Sequence, residues 1–143
     1  MAFGTRINDT LYAGGQPSKE QLLHLSKDGI ARIIDLRPAD EDRGFDEPAT
    51  ATSAGLEYHT LPIATEADLT PANVRLLDRW LSNSAQTKTL IHCASSNRVG
   101  ALLALRAGWL QGATPAAALD AGRAAGLKSL EPAVRKLLSQ SAS

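Results

Sequence analysis

The chain has one cysteine, no net charge and few aromatic residues, and each shortage narrows what it can be. A single cysteine in 143 residues closes no intramolecular disulfide, and beside three scattered histidines it argues against a structural zinc site. Lys+Arg (15) equals Asp+Glu (15), so the basic excess that would drive binding to nucleic acid or to an anionic membrane is missing. A small local anion site remains open. No stretch approaches the roughly 20 apolar residues of a membrane span. The start MAFGTRINDT lacks the cationic and apolar regions of a secretory signal, so a reducing cytoplasm is the expected location. With aromatics at 4%, the core must be built from aliphatic side chains and alanine, with Trp80 and Trp109 as its large pieces. At 43% hydrophobic and without repeats or low-complexity tracts, residues 1–143 are expected to form one soluble domain with a core of its own.

Turn and cap residues divide the chain into alternating extended and helical pieces. Leu11 to Ala13 is extended and stops at Gly14-Gly15, after which Ser18 and Gln21 have the form of a capping box for a helix ended by Gly29. Ala31 to Leu36 reads as a buried strand. Ala39 to Phe45, dense in carboxylates, reads as solvated surface, followed by a helix from about Asp46 to Ser53. Tyr58 to Ile63 is a second extended run, fading at Pro62. Beyond the loop Ala64 to Leu69, Thr70-Pro71 starts a helix with Val74, Leu77, Trp80 and Leu81 on one face. Thr87 to His92 is a strand, and Arg98 opens a long helix that is apolar over a wide arc. An alanine-rich helix follows Thr114-Pro115, and a last one carries Val134, Leu137 and Leu138. Strands separated by helices of this length imply an α/β fold: a mainly parallel sheet of four to five strands with helices on both faces. Ligands then bind at the carboxyl ends of the strands, where the loops 37–45, 64–69 and 93–97 meet.

The segment His92-Cys93-Ala94-Ser95-Ser96-Asn97-Arg98 carries the chemistry. Cys93 ends a buried strand, four short residues curl after it, and Arg98 begins an apolar helix. The backbone N–H groups of Ala94, Ser95, Ser96 and Asn97 would point inward beside the positive end of the helix, where an oxyanion binds. The same field should lower the thiol from its free value of roughly 8.5 and make Cys93 a nucleophile. Arg98 offers a planar fork for two oxygens of a phosphoryl or sulfuryl group. His92 orients the loop or is a plain core histidine.

His92-Cys93 followed by Arg98 resembles the signature of cysteine-dependent phosphatases, with four residues between Cys and Arg in place of five. Together with Gly15-Gln16-Pro17 and Asp35-Leu36-Arg37-Pro38, it resembles the bacterial phosphatase-like domain family named after beta-lactamase hydrolase-like proteins, over about Leu11 to Leu138. Members often have glycine where this chain has Ser96, so the loop must close on a residue less tolerant of positive φ. The resemblance implies attack by Cys93 on phosphorus, stabilisation of the oxygens by Arg98 and the loop amides, and hydrolysis of the cysteinyl-phosphate without cofactor or metal. It also implies a general acid, for which Asp68 is narrowly favoured over Glu66, although an acidic residue there also suits the following helix start. Val99 stands where a hydroxyl usually follows the arginine; Ser95 or Ser96 is the substitute for it. Arg37 either adds to anion binding or pairs with Asp40, Glu41 or Asp42, and Gln16 reaches the site if the family pattern carries over. The expected partner is a phosphorylated protein or a small phosphorylated metabolite. Sulfur transfer through a Cys93 persulfide, with a sulfur-containing metabolite, and anion sensing without turnover are the alternatives.

Overall fold

The computed structural model describes residues 3–83 and 86–140. Their strands are β1 (Thr5–Arg6), β2 (Leu11–Gly14), β3 (Arg32–Asp35), β4 (Glu57–Thr60) and β5 (Thr89–His92). The helices are α1 (Lys19–Lys27), α2 (Glu47–Ser53), α3 (Pro71–Asn83), α4 (Asn97–Leu110), α5 (Pro115–Ala124) and α6 (Glu131–Leu138). The sheet order is β1-β2-β5-β3-β4, with every pair parallel except β1 on β2. The chain thus has the expected α/β class and a mainly parallel five-stranded sheet. The antiparallel edge β1 was not expected, because two exposed residues are too few to carry a strand pattern.

The central strands β3 and β5 are buried along their whole length, as parallel strands covered on both faces must be. Alternation sends Ile34 and Ile91 to one side, against Val74 and Leu77 of α3 and Leu102 and Leu105 of α4. Ile33 and Leu90 go to the other, against Leu22 and Leu25 of α1 and Ala51 of α2. Each fully buried Leu or Ile contributes about 1.5–3 kcal/mol. The helix α4 is apolar on most sides because α3, α5, α6 and the sheet all pack on it. It crosses α5 at Gly100, where a Cβ would lie 2.3 Å from the Leu127 nitrogen and 2.6 Å from the Gly122 carbonyl oxygen.

Strand ends fall short of the sequence expectation. Ala31 and Leu36 lie outside β3, Thr87 and Lys88 outside β5, and β4 begins at Glu57 and stops before Leu61 and Pro62. Caps fix the helices: Ser18 and Gln21 form the capping box on α1, while Asp46 and Thr114 accept from the Ala49 and Ala117 nitrogens. Such caps are worth about 1 kcal/mol each. The register aligns Gly14, His92, Asp35 and Thr60 in one row, so the carboxyl ends of the four parallel strands come level. Among the described residues no helix is long and apolar enough to cross a membrane.

Candidate active site

Residues 93–96 make the whole turn between the end of β5 and the start of α4. So short a turn forces one residue into the left-handed region. That residue is Ser96 (φ 69), and among the described residues it is the one non-glycine with positive φ. The strain, of order 1–2 kcal/mol, is offset by the Ser96 hydroxyl, which donates to the Ala125 carbonyl at 2.5 Å. Asn97 ties the loop to the α5–α6 connection: its Oδ1 accepts from the Lys128 nitrogen at 2.8 Å and its Nδ2 donates to Ser129 Oγ at 2.8 Å. On the opposite side the Gln16 nitrogen donates to the Ala94 carbonyl at 3.1 Å, and the Cys93 nitrogen to the Gly14 carbonyl at 3.3 Å. Gly15 pairs with Ser95 there, and a Cβ on it would sit 2.8 Å from the Ala94 oxygen. Within these walls, and apart from the pairing with Gly15, the N–H groups of residues 94–99 donate to no protein acceptor among the described residues. They span the loop and the first turn of α4, an array suited to an oxyanion.

Cys93 is 0% exposed at the base of this loop, while Ala94 and Ser95 are exposed at its mouth. The thiol packs with the apolar core, and Arg98 lies near enough to interact with it electrostatically. Arg98 Nη1 donates to Glu41 Oε2 at 2.9 Å and to the Ile63 carbonyl at 2.8 Å, and Nη2 donates to Glu41 Oε1 at 3.0 Å. A guanidinium has five N–H donors. The two left over, Nε–H and one on Nη2, share a single edge. The hydrogen bond to Glu41 raises Arg98 above its ordinary value against its own burial, and Cys93 adds to the effect. In return Arg98, and after it Arg37, holds Glu41 down to about 2.

One expectation about this loop is corrected, and one open alternative is decided. The acidic run is not simply a solvated surface, because Glu41 grips Arg98 with both oxygens; its sequence neighbours are what faces water. Arg37 takes the pairing alternative, donating from Nε to Glu41 Oε1 in its own loop at 2.8 Å and from Nη1 to Gln16 Oε1 at 2.9 Å. Beside it opens a crevice of about 430 Å³ lined by Arg37, Asp40, Glu41, Asp42, Arg43 and Tyr58, among others.

Behind the loop His92, Asp35 and Glu47 are fully buried. His92 Nε2 lies 2.5 Å from Glu47 Oε2, and Nδ1 lies 3.2 Å from the Cys93 carbonyl oxygen. Gln16 Nε2 donates to the other Glu47 oxygen at 2.6 Å. Asp35 accepts from Arg43 Nε at 2.7 Å, from the Tyr58 hydroxyl at 2.5 Å and from the Arg37 nitrogen at 2.9 Å. Against the desolvation of its burial, the Arg43 hydrogen bond, followed by His92 and Tyr58, holds Asp35 below the usual carboxylate range. Burial, then the bond to Asp35, pushes the Tyr58 hydroxyl up. One ligand atom from each of Asp35, Glu47 and His92 lies within 4.8 Å of the others, which is a metal-ligand spacing. Those atoms are already committed to Arg43, Tyr58, Gln16 and one another. Glu47 is the residue sequence reasoning missed: it sits at a helix start, where an acidic residue is ordinary, and its partner is 45 positions away.

Asp68 belongs to a 3-10 turn (Glu66–Asp68) in the loop that begins at Ile63, whose carbonyl Arg98 holds. Asp68 Oδ2 accepts from the Ala64 nitrogen at 2.8 Å and from the Thr65 nitrogen at 3.3 Å, while Oδ1 has no protein partner among the described residues. Glu66 is exposed, and no hydrogen bond among the described residues joins it to the Cys93 loop.

Comparison with known proteins identifies the family and the fold. A family described as "DSP-PTPase phosphatase fused to NAD+ Kinase" matches residues 4–136. A beta-lactamase hydrolase-like protein of Xylella fastidiosa (strain Temecula1) is 33% identical over 103 residues, 69% of this chain and 23% of that protein. One from Agrobacterium fabrum is 30% identical over 104 residues, 70% of this chain and 24% of that protein. The matched part is therefore about a quarter of the length of these curated relatives. Among solved structures, a candidate phosphatase from Neisseria meningitidis z2491 superposes with a TM-score of 0.75 at 25% identity, covering 94% of both chains. Tk-PTP in its active form gives 0.76 at 18% identity over 96% of both chains, a likeness of fold alone. A cysteine just past a strand end, an arginine in the first turn of the helix that follows, and a match over nearly the whole chain agree: this chain belongs to the family of DSP-PTPase phosphatase domains.

Proposed function

We propose that the chain hydrolyses phosphomonoesters through a Cys93 phosphoenzyme. The observation that carries this reading is the set of N–H groups at 94–99 that, apart from the pairing with Gly15, have no protein acceptor among the described residues, beside the one open edge of Arg98. A phosphoryl group seated there has its three non-bridging oxygens among amides and guanidinium, and its phosphorus above the sulfur. The thiolate forms an S–P bond as the ester P–O bond breaks, and the departing oxygen takes a proton from Asp68 through the unengaged Oδ1. A water then attacks phosphorus as it gives a proton to the Asp68 carboxylate, the S–P bond breaks, and phosphate leaves with the thiolate and the acid both restored. The charge that grows on the equatorial oxygens meets donors already in position, so little reorganisation accompanies the step.

The substrate class is a phosphomonoester on a protein or a small metabolite. The test is release of phosphate from an aryl phosphate by the wild-type chain and by Cys93→Ser. Activity in the first and none in the second is the expected pair. Retained hydrolysis in Cys93→Ser overturns the phosphoenzyme, and thiocyanate from thiosulfate and cyanide with no phosphate release favours sulfur transfer instead.

A further inference from the structure

We infer that Glu47 and Gln16 are positioning residues for this site. They complete a closed chain of hydrogen bonds that joins the two ends of the Cys93–Arg98 loop from behind. Starting at the cysteine, the Cys93 carbonyl meets His92 Nδ1 at 3.2 Å, and His92 Nε2 meets Glu47 Oε2 at 2.5 Å. Glu47 Oε1 then accepts from Gln16 Nε2 at 2.6 Å, and Gln16 Oε1 accepts from Arg37 Nη1 at 2.9 Å. Arg37 Nε donates to Glu41 Oε1 at 2.8 Å, and Glu41 grips Arg98 at 2.9 and 3.0 Å. The inference rests on the phosphatase reading only for what the aligned loop is used for. The chain itself is geometry.

Donors and acceptors fix what the links can be. A carbonyl oxygen only accepts, so His92 Nδ1 carries hydrogen toward Cys93. The opposite nitrogen faces a carboxylate, and one proton lies between them. The two ring nitrogens are thus both engaged as donors or through that shared proton, and the imidazole has one orientation. The direction of donation reverses along the chain, with Arg98 and Arg37 both donating to Glu41 and Gln16 and His92 both serving Glu47. It therefore cannot pass a proton from end to end. What it transmits is position. The carboxylates face the cationic or donor groups Arg98, Arg37, Arg43, Gln16 and His92, while Asp35 is held by Arg43 and Tyr58, so no link is left charged and alone.

Glu47→Gln keeps the volume and removes the charge, leaving one acceptor where His92 and Gln16 need two. Gln16→Ala cuts the chain in the middle, at a half-buried residue, without touching either end of the loop. Loss of a supporting group of this kind typically lowers function by roughly 10- to 100-fold. We expect Glu47→Gln to lower kcat on an aryl phosphate by about tenfold or more with KM within about threefold, and Gln16→Ala to do the same to a smaller degree. Because the links act in series, the double variant should be no worse than Glu47→Gln alone. Inorganic phosphate affinity, measured by calorimetry, should fall in both. That measurement needs no turnover, so it still reads the chain if the phosphatase reading fails in Cys93→Ser. Kinetic constants and phosphate affinity within about twofold of wild type in Gln16→Ala, at unchanged melting temperature, would overturn the inference; so would fully multiplicative losses in the double variant. If Glu47→Gln fails to fold, Gln16→Ala decides alone.

Discussion

Two loops tied to the surroundings of Arg98, the one that follows Ile63 and the one that begins at Cys93, treat their backbone in opposite ways. In the loop 64–69 the N–H groups of Ala64, Thr65, Ala67, Asp68 and Leu69 all have acceptors in the loop itself. In the loop that begins at Cys93, the N–H groups from 94 to 99 have no acceptor in the loop itself, and only the pairing with Gly15 engages them from outside. Buried backbone donors are almost always satisfied, so the contrast distinguishes a loop that holds itself together from one held by its surroundings. Ser96, Asn97, Gln16 and Gly14 supply that outside support. A loop whose amides are to meet a ligand must be braced by its carbonyls and side chains instead.

The largest expected break in this contrast is Arg98→Lys. It preserves the charge but removes both the grip on Glu41 and the open edge, and kcat/KM should fall by about 10²–10³, as loss of an oxyanion donor does. A fall below tenfold would mean that the amides alone hold the phosphoryl group. Next is Asp68→Asn, which tests whether the self-satisfied loop contributes chemistry or only shape. For a poor leaving group kcat should fall by about 10²-fold or more, and for nitrophenol-like groups by much less. Equal losses on both would leave Asp68 as a cap only, worth about 1 kcal/mol in a denaturation curve.

The pH dependence is a smaller effect. Glu41 sits at about 2 in the folded chain against an ordinary 4.5, so its folded value is depressed. The stability it contributes is fully present above about 4.5 and is lost as the pH falls toward about 2. Melting temperatures of wild type and Glu41→Gln should therefore converge across that acid range, and parallel curves would show that the pair with Arg98 is not linked to folding. The smallest effect belongs to Ser96→Gly. Relief of the left-handed strain and loss of the hydroxyl bond to Ala125 nearly cancel, so unfolding free energy should move by less than about 1 kcal/mol. A larger loss would mean that the hydroxyl carries more of the bracing than the strain opposes.

What was legible in the sequence was local. Cys93, Arg98 and the strand and helix around them occupy one short segment, and strand, turn and helix signals each leave a mark there. The left-handed backbone at Ser96, implied by the glycine that members of the resembled family often have there, is found at φ 69. The partners were not legible. Glu41 is one carboxylate in a run of them, and Glu47 is an ordinary first-turn acid; what distinguishes both is a contact 57 or 45 positions away. No periodicity marks such a contact, because only the sheet register, which levels Asp35 with His92, brings the segments together. The edge strand β1 was missed for a different reason: at two residues, pairing precedes any pattern.

The grip of Glu41 and Ile63 on Arg98 has one more consequence. A free arginine side chain holds about 2 kcal/mol of rotamer entropy, which binding an anion would normally remove. Here that freedom is already gone, because three hydrogen bonds hold the guanidinium in one plane. The entropy is lost once, when the chain folds, and not again at each encounter with an anion. The geometry of that plane also precedes the ligand: a flat carboxylate and a tetrahedral phosphoryl group meet the same fixed edge, but only the tetrahedral one has further oxygens to turn toward the amides.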